Sequence, residues 1–157
     1  MAGTPELVEI PRLPGARVLL VTAPYHRAVC EMLRRGAARV LRAAEAAYEE
    51  VTVPGALEIP PAIAIAERER PFDAYVALGC VVRGETFHFE LVAQESCRGL
   101  VELAVARGLA LGNGILTVDR LAQAERRADP EGEDKGGWAA WAALSLLCLR
   151  QRWAGAR

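Results

Sequence analysis

The sequence predicts a layered α/β fold with a four-stranded parallel sheet. Four short apolar segments alternate with segments of helical composition and spacing, and this alternation is typical of strand–helix–strand units. Residues 17–23 (RVLLVTA) and 74–82 (AYVALGCVV) are apolar runs of the kind found in strands covered on both faces. Crossovers in such folds are right-handed. We therefore expect functional residues just beyond the carboxyl ends of the strands.

Local signals set the bounds of each element in turn. Pro54 and Gly55 end the second strand, Asp119 is a candidate cap for the helix after the fourth strand, and polar residues 130–134 separate the last two helices. In chain order we predict strand 17–23, helix 27–43, strand 49–53, helix 58–69, strand 74–82, helix 87–107, strand 114–118, a helix ending near residue 128 and a last helix ending near residue 153.

Length and composition are those of one ordinary globular domain. The chain has 157 residues, of which 52% are hydrophobic and 25% charged, enough to form a core without a metal or a disulfide. Nineteen Lys and Arg against twenty Asp and Glu give a formal charge of −1, and aromatic residues make up only 6%. A general basic field or a stacking platform for nucleic acid is therefore excluded.

We divide the chain into an N-terminal arm, residues 1–15, with a short strand at residues 7–10, and a single domain, residues 16–157. The chain opens without a signal-peptide pattern, and its longest apolar stretches are too short to span a bilayer. The four cysteines form no C-x-x-C pair. We expect a cytoplasmic protein with free thiols and no interaction with membranes.

The segment between the third strand and the next helix is the strongest candidate for chemistry. Residues 79–86 (GCVVRGET) nearly match a phosphate loop, but Glu85 occupies the lysine position and would repel a triphosphate. Thr86 and the helix N-terminus could still bind one phosphate, although a glycine turn with a threonine cap explains the same residues. His88, in the first helical turn, is expected to be a neutral imidazole suited to proton transfer.

The sequence gives little support for a metal site, a nucleophilic catalytic site or a separate phosphate site. His26 and His88 lack partners at metal-ligand spacing, so we predict no metal site. Serines and cysteines lie within helices or apolar runs rather than at a nucleophile elbow. Arg127 and Lys135 could bind a phosphate near the strand ends, but helix capping and solvated charge explain them equally well.

Four ordered blocks resemble the 6,7-dimethyl-8-ribityllumazine synthase family. They are residues 53–60 (VPGALEIP), 78–90 (LGCVVRGETFHFE), 112–118 (GNGILTV) and 134–137 (DKGG). The similarity runs from about residue 17 to residue 149, and four blocks at matching spacing are far more specific than any single motif.

The resemblance implies a transferase that acts in riboflavin biosynthesis. Members condense 5-amino-6-(D-ribitylamino)uracil with 3,4-dihydroxy-2-butanone 4-phosphate, giving 6,7-dimethyl-8-ribityllumazine, phosphate and water, without a metal or organic cofactor. The implied fold is flavodoxin-like, a three-layer α/β/α sandwich. The implied assembly is a pentamer or a multiple of pentamers with active sites between subunits and an N-terminal arm able to add a strand to a neighbour.

The resemblance also implies a role for each matching position. His88 is the general acid/base. The pyrimidine and ribityl chain would contact one group, and the phosphate of the second substrate would contact another. The first group comprises Tyr25, His26, Ala56, Leu57, Glu58, Cys80, Val81, Val82 and, from an adjacent subunit, Asn113. The second comprises Glu85, Thr86, Arg127 and Lys135, with Arg127 also supplied by the neighbour.

Two other functions compete with this one. A non-catalytic flavin- or lumazine-binding protein, or a shell-forming paralogue, could use the same scaffold. It would differ by binding riboflavin tightly without turnover. A phosphate-linked response module of similar fold is excluded, because such modules need an acidic cluster at the strand ends and the first strand ends in Thr22, Ala23 and Pro24.

Overall fold

Four parallel strands form a single sheet in a computed structural model that describes residues 9–155. The strand order is β2-β1-β3-β4, and every neighbouring pair is parallel. Central β1 pairs Val18 with Tyr48 on one side and with Ala74 on the other. The strands are β1 (Arg17–Ala23), β2 (Ala47–Thr52), β3 (Ala74–Val82) and β4 (Leu111–Val118).

Helices cover both faces of the sheet and complete the predicted three-layer α/β/α sandwich. One buried cluster joins the sheet to α1, α4 and α5, and a second joins the opposite face to α2 and α3. The helices are α1 (Arg27–Ala43), α2 (Ile59–Glu69), α3 (His88–Arg107), α4 (Leu121–Ala128) and α5 (Lys135–Gly155). None of the helices in residues 9–155 is long and apolar enough to cross a membrane.

The strongest local patterns give the correct bounds. The predicted strands 17–23 and 74–82 and the helix 27–43 match β1, β3 and α1 residue for residue. The strand predicted at 49–53 is shifted, because β2 begins at Ala47, whose N–H donates to the carbonyl of Ala16 at 2.9 Å. The strand predicted at 7–10 lies partly outside the described residues, and Glu9 and Ile10 have no regular structure.

The fourth strand begins earlier than predicted because its glycines belong to it. A Cβ at Gly112 would lie 1.8 Å from the carbonyl oxygen of Ala139, and one at Gly114 would lie 3.0 Å from the Ala139 side chain. Helix α5 therefore approaches β4 more closely than a side chain would allow. Gly112 thus lies within the strand, ahead of the predicted start at residue 114, and both glycines are points of close contact with α5.

The prediction that Asp119 caps α4 is wrong. The side-chain oxygen of Gln123 accepts hydrogen bonds from the N–H groups of Asp119 and Arg120, at 2.9 and 3.0 Å. The Asp119 carboxylate instead accepts a hydrogen bond from Nε of Arg83 at 2.7 Å. A partner 36 residues away in sequence thus replaces the local capping interaction.

Candidate active site

A cleft of about 510 Å³ opens beyond the carboxyl ends of β1 and β3. These adjacent strands continue into α1 and α3, which cover opposite faces of the sheet. Such a switch point leaves a crevice between the two connections. Ten of the residues predicted for the site line the cleft: Tyr25, His26, Ala56, Leu57, Glu58, Cys80, Val81, Val82, Thr86 and His88.

One wall is a tight turn between β2 and α2. Gly55 precedes a short 3₁₀ helix, Ala56–Glu58, and the Glu58 N–H donates to the Gly55 carbonyl at 3.1 Å. The Glu58 carboxylate folds back over Gly55, where a Cβ would lie 3.0 Å from Oε2. The turn therefore presents a carboxylate, which accepts hydrogen bonds from hydroxyl groups, beside the apolar side chain of Leu57.

The floor of the cleft is the end of β3. Cys80 is buried, whereas Val81 and Val82 are half-buried. Burial raises the pKa of the Cys80 thiol to about 12, so this thiol is protonated at neutral pH and is a poor nucleophile. Cys80 contributes an apolar surface to the cleft rather than covalent chemistry.

His88 lines another part of the cleft as the first residue of α3. Its backbone N–H donates to Oγ1 of Thr86 at a long 3.4 Å. Phe89 and Val92 extend the same wall. Val92 lies one helical turn after His88, so both side chains fall on one face of α3. An imidazole at the edge of a largely apolar cleft is suitably placed to transfer protons to a bound ring.

Two aromatic rings lie at the mouth of the cleft. The rings of Tyr25 and His26 meet edge to face with centroids 5.2 Å apart. Tyr25 is 80% exposed, so most of its ring is open to a planar ligand. A face available for stacking is what recognition of a pyrimidine requires.

Arg127 lines a second depression, of about 340 Å³, next to the cleft. This depression lies beyond the end of β4, and Phe89 borders both cavities. Arg83 also lines it, but its guanidinium is bound to the carboxylates of Asp119 and Glu90. Arg127 is therefore close to the cleft but outside its lining.

Three further predicted residues also lie outside the cleft lining. Glu85 is exposed in the loop before α3. Asn113 lies on β4, where its amide nitrogen is 3.8 Å from Sγ of Cys97 and its side-chain oxygen accepts the N–H of Ile115. Lys135 begins α5, with Nζ 3.8 Å from Oε2 of Glu133. The chain thus brings ten of the predicted residues together in one cleft but leaves Glu85, Asn113 and Lys135 outside it.

The cleft includes positions that were not predicted for the site. Each of them lies next to a predicted residue along a strand end, a turn or a helix face. Their position in the fold is therefore the signal that could have identified them. They are Ala23, Pro54, Gly55, Gly84, Phe89 and Val92. Within residues 9–155, no group of three or more His, Cys, Asp and Glu side chains is arranged to hold a metal ion.

A three-layer α/β fold in which an imidazole and a carboxylate line the same switch-point cleft is typical of enzymes that act on small molecules. A family model described as 6,7-dimethyl-8-ribityllumazine synthase matches residues 15–151, and the chain belongs to that family. Proteins named 6,7-dimethyl-8-ribityllumazine synthase are among its relatives. The one from Methylocella silvestris is 58% identical, with 88% of this chain and 87% of the relative covered.

Two other relatives of the same name show comparable similarity. The protein from Bartonella tribocorum is 53% identical over 86% of this chain and 90% of its own length. The protein from Novosphingobium aromaticivorans is 54% identical over 88% of this chain and 99% of its own length. Similarity at this level over nearly the whole domain confirms the family assignment made from the four blocks.

Proposed function

We propose that the cleft condenses 5-amino-6-(D-ribitylamino)uracil with 3,4-dihydroxy-2-butanone 4-phosphate to form 6,7-dimethyl-8-ribityllumazine, phosphate and water. This makes the protein a transferase of riboflavin biosynthesis, in line with the names of its relatives. The observation that carries the proposal is the convergence of His88 and the end of β3, from one family-like block, and of Glu58, from another, on one cleft.

The ring and ribityl chain of the first substrate occupy the wall opposite His88. Tyr25 stacks on the pyrimidine, with His26 beside it, and backbone groups of residues 80–82 bind the ring edge. Glu58 accepts hydrogen bonds from the ribityl hydroxyls, and Ala56 and Leu57 line the chain. Asn113 of an adjacent subunit completes the ring contacts.

The phosphate of the second substrate lies at the N-terminus of α3. This helix has 20 residues, and its free N–H groups and the Thr86 hydroxyl favour an anion there. Glu85 frames the loop. Arg127 from the adjacent subunit supplies the guanidinium that binds phosphate, and Lys135 adds positive charge nearby. Positive charge and N–H donors stabilise the phosphate as it leaves.

His88 moves the protons that each bond change requires. The 5-amino nitrogen forms a bond to the ketone carbon, and the carbonyl oxygen leaves as water to give an imine. Loss of a proton next to the imine carbon then expels phosphate as its C–O bond breaks. This elimination leaves an enol, which takes up a proton at its terminal carbon and loses its hydroxyl proton to become a methyl ketone. The ribitylamino nitrogen then closes the ring on this ketone carbon, whose oxygen leaves as a second water. An imidazole can take and return each proton, and positioning of the two substrates supplies much of the remaining acceleration.

We further propose a homo-oligomer, a pentamer or a multiple of pentamers, with each active site between two subunits. Asn113, Arg127 and Lys135 lie outside the cleft lining of their own subunit. The outward side of α3 exposes apolar side chains at Leu91, Val101 and Val105. An apolar helix face is more stable when another subunit covers it. The same proposal assigns the arm, residues 1–15, to contact with a neighbour.

A cytoplasmic location accompanies this proposal. The cysteines of residues 9–155 are all free thiols, at Cys30, Cys80, Cys97 and Cys148. Free thiols persist in reducing compartments.

Turnover is the direct test. The purified protein is mixed with both substrates in phosphate-free buffer, and lumazine fluorescence is followed against a control without protein, since the substrates also react slowly unaided. A rate well above this control is the expected result. A folded protein that gives only the background rate, yet binds riboflavin tightly, would instead be a binding or shell-forming paralogue.

A further inference from the structure

The turn of α3 that carries His88 has little support from the core. His88 and Leu91 are exposed, and Phe89 and Glu90 are only half-buried. In the described chain, the first buried residue of α3 is Ser96, two turns further on. Since the core of its own chain does not hold this turn, its position against the sheet depends on contacts made by exposed side chains.

Arg83 supplies that interaction from the end of β3. Its guanidinium carbon lies 4.2 Å from the centroid of the Phe89 ring, and Nη1 donates to a carboxylate oxygen of Glu90. Phe89 and Glu90 are the two residues that follow His88. Arg83 therefore binds the turn through the two residues after His88, by stacking on one and by an ion pair with the other.

The same side chain also binds the loop after β4. Nε donates to Oδ1 of Asp119 at 2.7 Å, and the backbone N–H of Arg83 donates to the carbonyl of Val118 at 2.9 Å. Three segments thus meet at one guanidinium: the end of β3, the first turn of α3 and the loop leading to α4. A planar guanidinium, with five N–H donors in a fixed fork, is better suited than a compact ammonium to bind two carboxylates and one aromatic face at once.

The charge around Arg83 argues against direct phosphate binding. Two carboxylates surround one guanidinium, so the cluster of Arg83, Glu90 and Asp119 has a net negative charge. Such a cluster repels a phosphate dianion. Its geometry suits the fixing of backbone segments, and a single misplacement of a catalytic group by about 1 Å can cost about a hundredfold in rate.

We propose that Arg83 is a positioning residue for the reaction, holding the His88 turn at the edge of the cleft through Phe89 and Glu90 and against β4 through Asp119. This inference rests on the proposed function. It assigns to Arg83 no contact with either substrate.

The first test is Arg83→Gln, which removes the charge and the two-carboxylate geometry. We expect kcat to fall about tenfold, with the KM of either substrate changed much less. Amide hydrogen exchange in residues 88–91 should become about tenfold faster, because the turn opens more often. Arg83→Lys should recover part of both losses, since an ammonium can still pair with one carboxylate.

Glu90→Gln tests whether Arg83 positions His88 through Glu90. If Arg83 acts through Glu90, this variant should lower kcat in the same direction, and the double variant should be no worse than the more severe single one. Arg34→Gln is the matched control, because Arg34 also binds two carboxylates, Glu31 and Glu50, but between α1 and β2. It should leave both kcat and the exchange of residues 88–91 unchanged.

Two results would overturn the inference. Unchanged kcat and unchanged exchange in Arg83→Gln would show that the turn is held without Arg83. A rise confined to the KM of the phosphorylated substrate, with Glu90→Gln as active as the parent, would make Arg83 a phosphate ligand instead. A parent protein without turnover would refute the proposed function, while the exchange measurement would still test whether Arg83 holds the turn.

Discussion

The Asp134 carboxylate binds Nη2 of Arg39 at 2.8 Å and so joins the start of α5 to α1. Asp134 is 6% exposed and has a left-handed backbone, with φ of 43°, which aspartate tolerates better than most residues. Its other carboxylate oxygen accepts the N–H of Gly137 at 3.1 Å. The DKGG block resembles a family motif, and its first residue also has a clear structural role.

Gly136→Ala should destabilise the protein. A Cβ there would lie 2.0 Å from the carbonyl oxygen of Leu33, so α1 and α5 would have to separate at a cost of about 1–3 kcal/mol. Gly155→Ala is the matched control in the same helix, since nothing lies within 4 Å of its Cβ position. Thermal unfolding at equal subunit concentration measures both. Equal midpoints for the two variants would contradict this account of the helix contact.

Sequence reasoning succeeded where the determining contacts are local. The apolar runs of β1 and β3 gave correct bounds because burial on both faces shows directly in composition. Sequence reasoning failed where contacts between residues far apart in sequence determine the structure. The start of β4 depends on the close contact of Gly112 with Ala139, and the Asp119 carboxylate binds Arg83 instead of capping α4.

The residues of the candidate site also differ in how far the sequence could predict their position. Residues that follow β1, β2 and β3 were predicted together because the ends of parallel strands meet at one edge of the sheet, and they share one cleft. Asn113 was assigned through the family resemblance alone, and for Arg127 and Lys135 charge allowed a phosphate role that only the resemblance favoured. All three lie outside that cleft, and we propose that they complete the site of a neighbouring subunit.

His88→Ala should reduce kcat on the order of a hundredfold, because general acid–base catalysis typically contributes about 10²–10⁴-fold. The side chain is exposed and begins a helix, so folding should be unaffected. The fluorescence assay measures turnover, and circular dichroism with thermal unfolding checks the fold. Turnover equal to that of the parent would exclude the proton-transfer role of His88.

Arg127→Ala should mainly weaken use of the phosphorylated substrate. A hydrogen bond to a charged group contributes about 1.5–3 kcal/mol, so the KM for this substrate should rise about tenfold or more. The KM for the pyrimidine should change little. Arg126→Ala is a suitable control, since Arg126 is bound to Glu133 at 3.1 Å and lies outside both cavities. An unaltered KM for the phosphorylated substrate would refute the assignment.

Stability should fall in alkaline solution as buried thiols ionise in the unfolded chain. Burial raises the pKa of Cys30 from 9.0 to about 11 and that of Cys80 from 9.0 to about 12. Because the folded pKa is the higher one, stability is complete below pH 9 and is lost as the pH rises from 9 towards 11 and 12. Tyr75, whose pKa burial raises to about 12, adds to this loss above pH 10.

The thiol contribution can be isolated with Cys80→Ala. The midpoint of thermal unfolding should decline less steeply between pH 9 and 11 in this variant than in the parent. Cys148→Ala provides the comparison, because Cys148 is only half-buried. Identical slopes for the parent and Cys80→Ala would show that ionisation of Cys80 does not contribute to alkaline unfolding.

Mixing two impaired variants tests whether the active site lies between subunits. His88→Ala lacks the imidazole and Arg127→Ala lacks the guanidinium, so each turns over slowly when the phosphorylated substrate is kept well below its KM. In a ring where His88 of one subunit works with Arg127 of the next, a mixed assembly contains some sites with both groups intact. Random mixing in equal amounts would restore about a quarter of the sites. If both groups served the same subunit, every site would lack one of them and no activity would return.

The experiment requires that subunits exchange, so the variants are co-expressed with different tags and mixed assemblies are isolated through both tags in succession. Activity in this fraction, above that of either variant alone, is the expected result. A mixture of His88→Ala with His88→Gln, prepared in the same way, is the control, because no site in it can regain an imidazole at position 88. Recovery in the first mixture alone would place His88 and Arg127 of one active site on different subunits. No recovery in either mixture would indicate that Arg127 acts in its own subunit, from the depression next to the cleft.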